Sequence, residues 1–174
     1  MLRGAMDATH LRNDGWDFLN LGYAVERADN TARLMDVKYY VLLPQVEYVG
    51  SGLDNYQWET LLRSMSAYRS YRWAYGGDLS AQRIAHFLIL NTQCPRALLT
   101  SIQTVNTHIE QLARGYGQSS AALSMARGLL AEITEMTIEE ALDEGLHEFL
   151  TRFIQEVAQL GGSISEVYFS GDQR

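Results

Sequence analysis

The chain has 174 residues, 47% of them hydrophobic and 20% charged, which suffices for one domain, residues 1–174, with a sizeable core. Its net charge of −7 argues against a general nucleic-acid binder, because nothing broadly neutralises phosphate. A single cysteine, Cys94, excludes an internal disulfide, and no apolar run approaches the roughly 20 residues of a membrane span.

Residues 1–12 are mixed, lack the apolar core of a signal peptide, and lead into a long helix. The expectation is therefore a cytoplasmic protein without membrane contact. Asn13 or Asp14 supplies the cap, and Asp17 places negative charge at the positive end of the helix. Positions 18, 21, 25, 28, 32, 35, 39 and 42 step by three and four and are all apolar, so they predict a buried seam. A second seam runs through Trp16, Leu19, Tyr23, Glu26, Asn30, Arg33, Val37 and Tyr40, apolar at its ends and polar in the middle. Only a strip through Asn20, Arg27, Thr31 and Lys38 is left for water. Such a helix is expected to be central, with neighbours on both sides. It is expected to end at Leu43-Pro44, and residues 46–55 have the composition of a loop.

A second helix is expected from Tyr56 to Tyr75, with aromatic last turns (Tyr68, Tyr71, Trp73, Tyr75) and a stop at Gly76-Gly77. Core packing is the usual fate of such rings, and stacking on a ligand is the alternative. Ser80 caps a shorter helix that ends near Asn91. Pro95 suits the first position of the next helix, which buries Leu98, Ile102, Val105 and Ile109 and ends at Gly115 and Gly117. A fifth helix follows Ser119 or Ser120. Thr137 and Glu140 have the spacing of a capping box, and the apolar stripe from Leu142 to Val167 keeps its phase through Gly161-Gly162. The tail from Ser170 is polar. No segment alternates with period two, so the prediction is an all-α bundle of about six helices around one long central helix.

Three stretches of the central helix carry a family resemblance: Gly15-Trp16-Asp17-Phe18-Leu19, Glu26-Arg27-Ala28-Asp29-Asn30-Thr31-Ala32-Arg33, and Leu34 through Pro44. They resemble the alpha-E family of bacterial helical proteins, named for a Glu-Arg pair. Asp54-Asn55-Tyr56-Gln57-Trp58, Phe87-Leu88-Ile89-Leu90, Pro95-Arg96 and Gly145-Leu146-His147-Glu148-Phe149 extend the resemblance over essentially the whole chain. Full-length members are similar to two such halves in tandem, and this chain resembles the second. The resemblance implies either a piece of a tandem protein or a short member that rebuilds the pairing as a homodimer. The face with Trp16, Tyr23, Glu26 and Arg33 would then lie at or near the interface. It also implies a setting beside ATP-grasp ligases and transglutaminase-like proteins, and hence a role in peptide synthesis or modification. The sequence departs from the family pattern at Tyr23, where arginine is common, and at Asn91 and Gln93, where acidic residues are common.

The candidate binding residues are Glu26, Arg27, Asp29, Asn30, Arg33, Asp36 and Arg96. Asp29 and Arg33 have ion-pair spacing on a helix, as do Arg33 and Asp36. The cluster reads either as a structural ion-pair network or as a polar pocket for a ligand or a partner's charged group. Arg96, placed at a helix start beside free amides, would suit a carboxylate or phosphate. Glu144 and His147 have the Glu-x-x-His spacing of di-iron bundles, but the sequence holds no second copy, so no metal is expected there. Cys94 has no activating base beside it. No phosphate loop, zinc spacing or nucleophile motif occurs, and no cofactor is expected. The preferred reading is a non-catalytic interaction module of a peptide-ligating or peptide-modifying system. The alternative is an enzyme or small-ligand-binding protein built on Glu26, Asp29 and Asp36, with or without a divalent metal.

Overall fold

A computed structural model describes residues 2–41, 52–117 and 119–170. They form α1 (Leu2–Thr9), α2 (Asp14–Val41), α3 (Gly52–Ser64), α4 (Tyr68–Tyr75), α5 (Ala81–Ile89), α6 (Leu98–Tyr116), α7 (Ala121–Glu135), α8 (Ile138–Glu144) and α9 (Leu146–Phe169). No strand occurs among the described residues. The long helices make a closed ring: α2 packs on α6 and α9, and α7 packs on both of those from the opposite corner. The shorter α3, α4, α5 and α8 attach to this four-helix body in sequence. The ring encloses Ala28, Ala32, Ile102, Val105, Ile109 and Ala126, all fully buried, together with Phe153 and Val157. Alanines on α2 let the neighbouring backbones approach closely, so one helix can serve two partners.

The central helix starts as its sequence dictates. Trp16 N–H donates to Asn13 Oδ1 (3.2 Å), which caps α2, and Asp14 and Asp17 occupy its first turn. The segment before it is itself helical rather than only a lead-in.

The first seam of α2 is buried as the sequence pattern suggests, but the buried side extends beyond it. Leu21, Ala28, Ala32 and Met35 of the first seam are buried, and Phe18 and Val25 are half-buried, while the side chains of Tyr39 and Leu42 fall outside the description. The strip expected to face water is inside: Asn20, Thr31 and Lys38 are buried and Arg27 is half-buried. Asn20 Nδ2 donates to Trp16 O (2.9 Å), and the Lys38 ammonium sits 4.1 Å from the centre of the Trp58 ring. Asn20 and Lys38, with such partners, can be buried against a neighbouring helix, which hydropathy alone does not register; the Thr31 hydroxyl is buried without a hydrogen-bond partner among the described residues. The second seam faces out instead: Glu26, Asn30, Arg33 and Val37 are exposed.

Four boundaries differ from the expected ones. The helix expected over 56–75 breaks between α3 and α4. Ala67 N–H donates to Leu62 O (2.8 Å) and Ser66 N–H to Arg63 O (2.9 Å), a Schellman motif with Ser66 at φ 57°. Serine in a position that glycine usually takes hid the break. Residues 52–55 are the start of α3, not a loop; the expected stop at Leu43-Pro44 and the loop over 46–51 lie outside the described residues, as do residues 171–174. Pro95 does not begin a helix. Ala97 N–H donates to Cys94 O (3.0 Å), so Pro95 is the second residue of a β-turn, and α6 starts at Leu98. The capping box at Thr137 and Glu140 is present, but the helix it starts ends at Gly145 (φ 100°), where α9 begins. α9 then runs unbroken through Gly161-Gly162. Gly117, in a left-handed conformation, ends α6, while Gly115 lies inside it.

Candidate functional site

Tyr23, Glu26, Arg27 and Asn30 lie on adjoining turns of α2, beside the turn that carries Pro95 and Arg96. Together they line a cavity of about 450 Å³. Arg27 Nη1 donates to Pro95 O (3.2 Å), which fastens the turn to the helix. Asn30 Nδ2 lies 3.4 Å from Glu26 Oε1, one helical turn away. Arg96 is exposed and makes no ion pair among the described residues. One carboxylate and two guanidiniums line the cavity in a chain of net charge −7.

The other predicted site residues do not converge on this cavity. Arg33 Nε donates to Asp29 Oδ2 (2.7 Å), and that hydrogen bond holds the guanidinium's pKa above its usual value. Asp36 meets His147 of α9, Nδ1 to Oδ1 2.5 Å, and so joins two helices. Glu26, Asp29 and Asp36 therefore engage three different partners and form no shared centre. Arg96 reaches the cavity from a turn, not from a helix start as expected. Pro95 is a wall of the cavity that its spacing does not announce, and Tyr23, expected on the second seam and at the interface face, lines the cavity as well.

On the far side of Glu26 an apolar groove of about 410 Å³ runs between α2 and α9. Phe18, Val25, Val157, Ile164 and Phe169 line it, with Glu26 and Asp29 on its rim. Gly161 faces Val25 across it, where a methyl group would stand at ordinary contact distance, 3.9 Å from Val25 Cγ1. Glu26 is thus the ridge between a polar cavity and an apolar one.

The remaining candidates are structural. Arg152 donates to both carboxylate oxygens of Glu144 (3.1 and 3.0 Å) and also bonds Glu132. The Arg152 hydrogen bond lowers the Glu144 pKa. With His147 on Asp36, the Glu-x-x-His pair is pulled apart. Among the described residues no three His, Cys, Asp or Glu groups are placed to hold a metal ion. Burial pushes the Cys94 thiol pKa up, away from reactivity. Tyr71 and Tyr75 stack in the core (5.2 Å), and burial raises the Tyr71 phenol to about 12. Trp73 of the same aromatic run is 84% exposed. His108 Nδ1 lies 2.8 Å from Asp17 Oδ1, both largely buried, a tie between α2 and α6 with no local signature in the sequence.

The family model described as Alpha-E, a predicted alpha-helical domain with a conserved ER motif, matches residues 1–169. Glu26-Arg27 is the one Glu-Arg dipeptide in the chain, so the motif falls on the wall of the polar cavity. No curated protein and no solved structure matches the chain. No helix among the described residues is long and apolar enough to cross a membrane.

Proposed function

Because the chain belongs to the Alpha-E family, we propose that it is a non-catalytic helical interaction module, a component of a peptide-ligating or peptide-modifying system, and that its polar cavity receives the carboxylate end of a peptide. The observation that carries this reading is the meeting of Arg27 and Arg96 with Tyr23 and Asn30 in one cavity of about 450 Å³. Guanidinium groups bind carboxylates through paired charge-assisted hydrogen bonds. Arg27 is held by Pro95, and Arg96 extends from the same turn, so the two are pre-positioned around one space. The divergence of Glu26, Asp29 and Asp36 supports binding over catalysis, because acid–base or metal chemistry needs such groups aimed at one point.

The partners this reading favours are an ATP-grasp ligase or a transglutaminase-like protein that handles the same peptide. Calorimetric titration with short peptides tests the binding step. A peptide with a free C-terminus binds, the same peptide amidated binds at least about tenfold more weakly, and Arg96→Ala removes the difference. Equal binding of both forms, or none of either, contradicts the reading. Co-purification from the native source tests the wider setting. A ligase, a transglutaminase-like protein or a peptide should be recovered, and repeated recovery of none counts against it.

A further inference from the structure

The outward face of α2 carries Gly22, Glu26, Arg33 and Val37 in a line, with the body of the bundle behind it. Val37 is 50% exposed and Leu34 beside it 40%, an unusual burden of apolar surface on the solvent side of a central helix. The order of residues along this line has a symmetry. Glu26 and Arg33 stand equally far, in opposite directions, from the point midway between Asp29 and Asn30, and so do Gly22 and Val37.

We infer that this face pairs with the same face of a second copy, the two α2 helices running antiparallel about a twofold axis between Asp29 and Asn30. A twofold axis requires a surface complementary to itself. In this register Glu26 meets Arg33 of the partner subunit, and the reverse pair forms on the other side of the axis. Val37 meets the partner subunit's Gly22, where a Cβ would find no atom within 4 Å, so there is room for a branched side chain. Gly22 also lines the apolar groove with Phe18 and Val25, so the entering Val37 finds apolar walls. From Gly22 to Val37 the seam is about 22 Å long. Registers that set Glu26 against the partner subunit's Glu26, Asp29 or Leu34 lose both ion pairs. The charge pattern therefore selects a second copy rather than an unlike partner. Arg33 keeps Asp29 as its own-chain partner, so it enters the seam already oriented.

Sedimentation equilibrium over a range of concentrations tests the register. The wild-type chain dimerises. Glu26→Lys weakens the dimer by about tenfold or more, Arg33→Glu does the same, and the double variant recovers most of the loss. Both residues are exposed, and circular dichroism checks that each variant stays helical. As an independent reading, Asn30→Cys next to the axis forms an interchain disulfide on oxidation, whereas Arg114→Cys on α6 does not. A monomer at every concentration overturns the inference, as does a dimer that ignores both charge reversals or fails to crosslink at residue 30. Arg96 is not a seam residue, although Glu26 and Asn30 belong to both seam and cavity; Arg96→Ala leaves dimerisation unchanged while removing the preference for a free C-terminus, so the two proposals fail separately.

Discussion

Asp17 and His108 show what a single polar tie contributes to this bundle. They lie 2.8 Å apart and each side chain is only 14% exposed, so the contact is shielded from water. Removing one partner strands the other without its hydrogen bond. His108→Ala is expected to cost about 1–3 kcal/mol of unfolding free energy. A double-mutant cycle with Asp17→Ala, read by denaturant unfolding, should give a clear coupling between the two, and strictly additive effects would show that the tie carries no stability. At this scale the sequence was only partly legible. The cavity-lining Glu26, Arg27 and Asn30 could be picked out because polar residues on a mostly apolar helix stand apart, and Arg96 because it follows Pro95. Asp29 and Arg33 could be paired from their spacing. The ties of Asp17 to His108 and of Asp36 to His147 join residues far apart in the chain, and nothing local in the sequence announces them. Lys38 was misplaced for a related reason: its stabilising partner, the Trp58 ring, belongs to another helix.

At the scale of elements, the capped helix starts were readable and two breaks were not. Ser80, Ser120 and Thr137 all cap as expected, because a hydroxyl accepting a first-turn amide is a local event. The breaks at Ser66 and Gly145 depend on left-handed or otherwise unusual backbone angles within continuous apolar patterns. These two positions predict opposite outcomes. Ser66→Gly relieves a positive φ and should stabilise the chain by about 0.5–1 kcal/mol. Gly145→Ala forces a side chain to φ 100° and brings its Cβ to Glu148, so it should destabilise by about 1–3 kcal/mol. Thermal unfolding of both variants decides the matter, and a shift of the same sign in each would count against the assigned turns. The capping box makes a pH prediction. Thr137 N–H donates to Glu140 Oε2 (2.7 Å), and that bond lowers the folded-state pKa of Glu140. The unfolded chain titrates near pH 4.3, so the box stabilises fully above about pH 5 and its contribution is lost as pH falls through the lower folded-state value. Glu140→Ala should therefore melt below wild type at pH 7 and approach it near pH 3. A gap that stays constant across that range would show the carboxylate charge to be irrelevant.

The whole molecule is a ring of four long helices in which α2 turns one side to the core and the other to solvent. That outward side holds the Glu-Arg pair, a polar cavity on one flank and an apolar groove on the other. The all-helical class and the burial of the apolar seam of α2 were legible, because a 28-residue helix with apolar steps of three and four has few other fates; the expected neighbours on both sides were not found among the described residues, since Glu26, Asn30, Arg33 and Val37 of the second seam are exposed. Which of the remaining faces met water was not legible, because the second seam and the strip through Asn20, Arg27, Thr31 and Lys38 both carry polar residues, and the choice is made by α6 and α9 together. The proposed function rests on recognition of a carboxylate by the cavity at Arg27 and Arg96. The most direct measurement is a map of backbone amide chemical shifts in the 19.7 kDa chain during titration with a short peptide bearing a free C-terminus. The account predicts saturable shifts concentrated at Tyr23, Glu26, Arg27, Asn30 and Arg96, which vanish when the peptide is amidated. Shifts centred on any other surface, or indifferent to amidation, would contradict it.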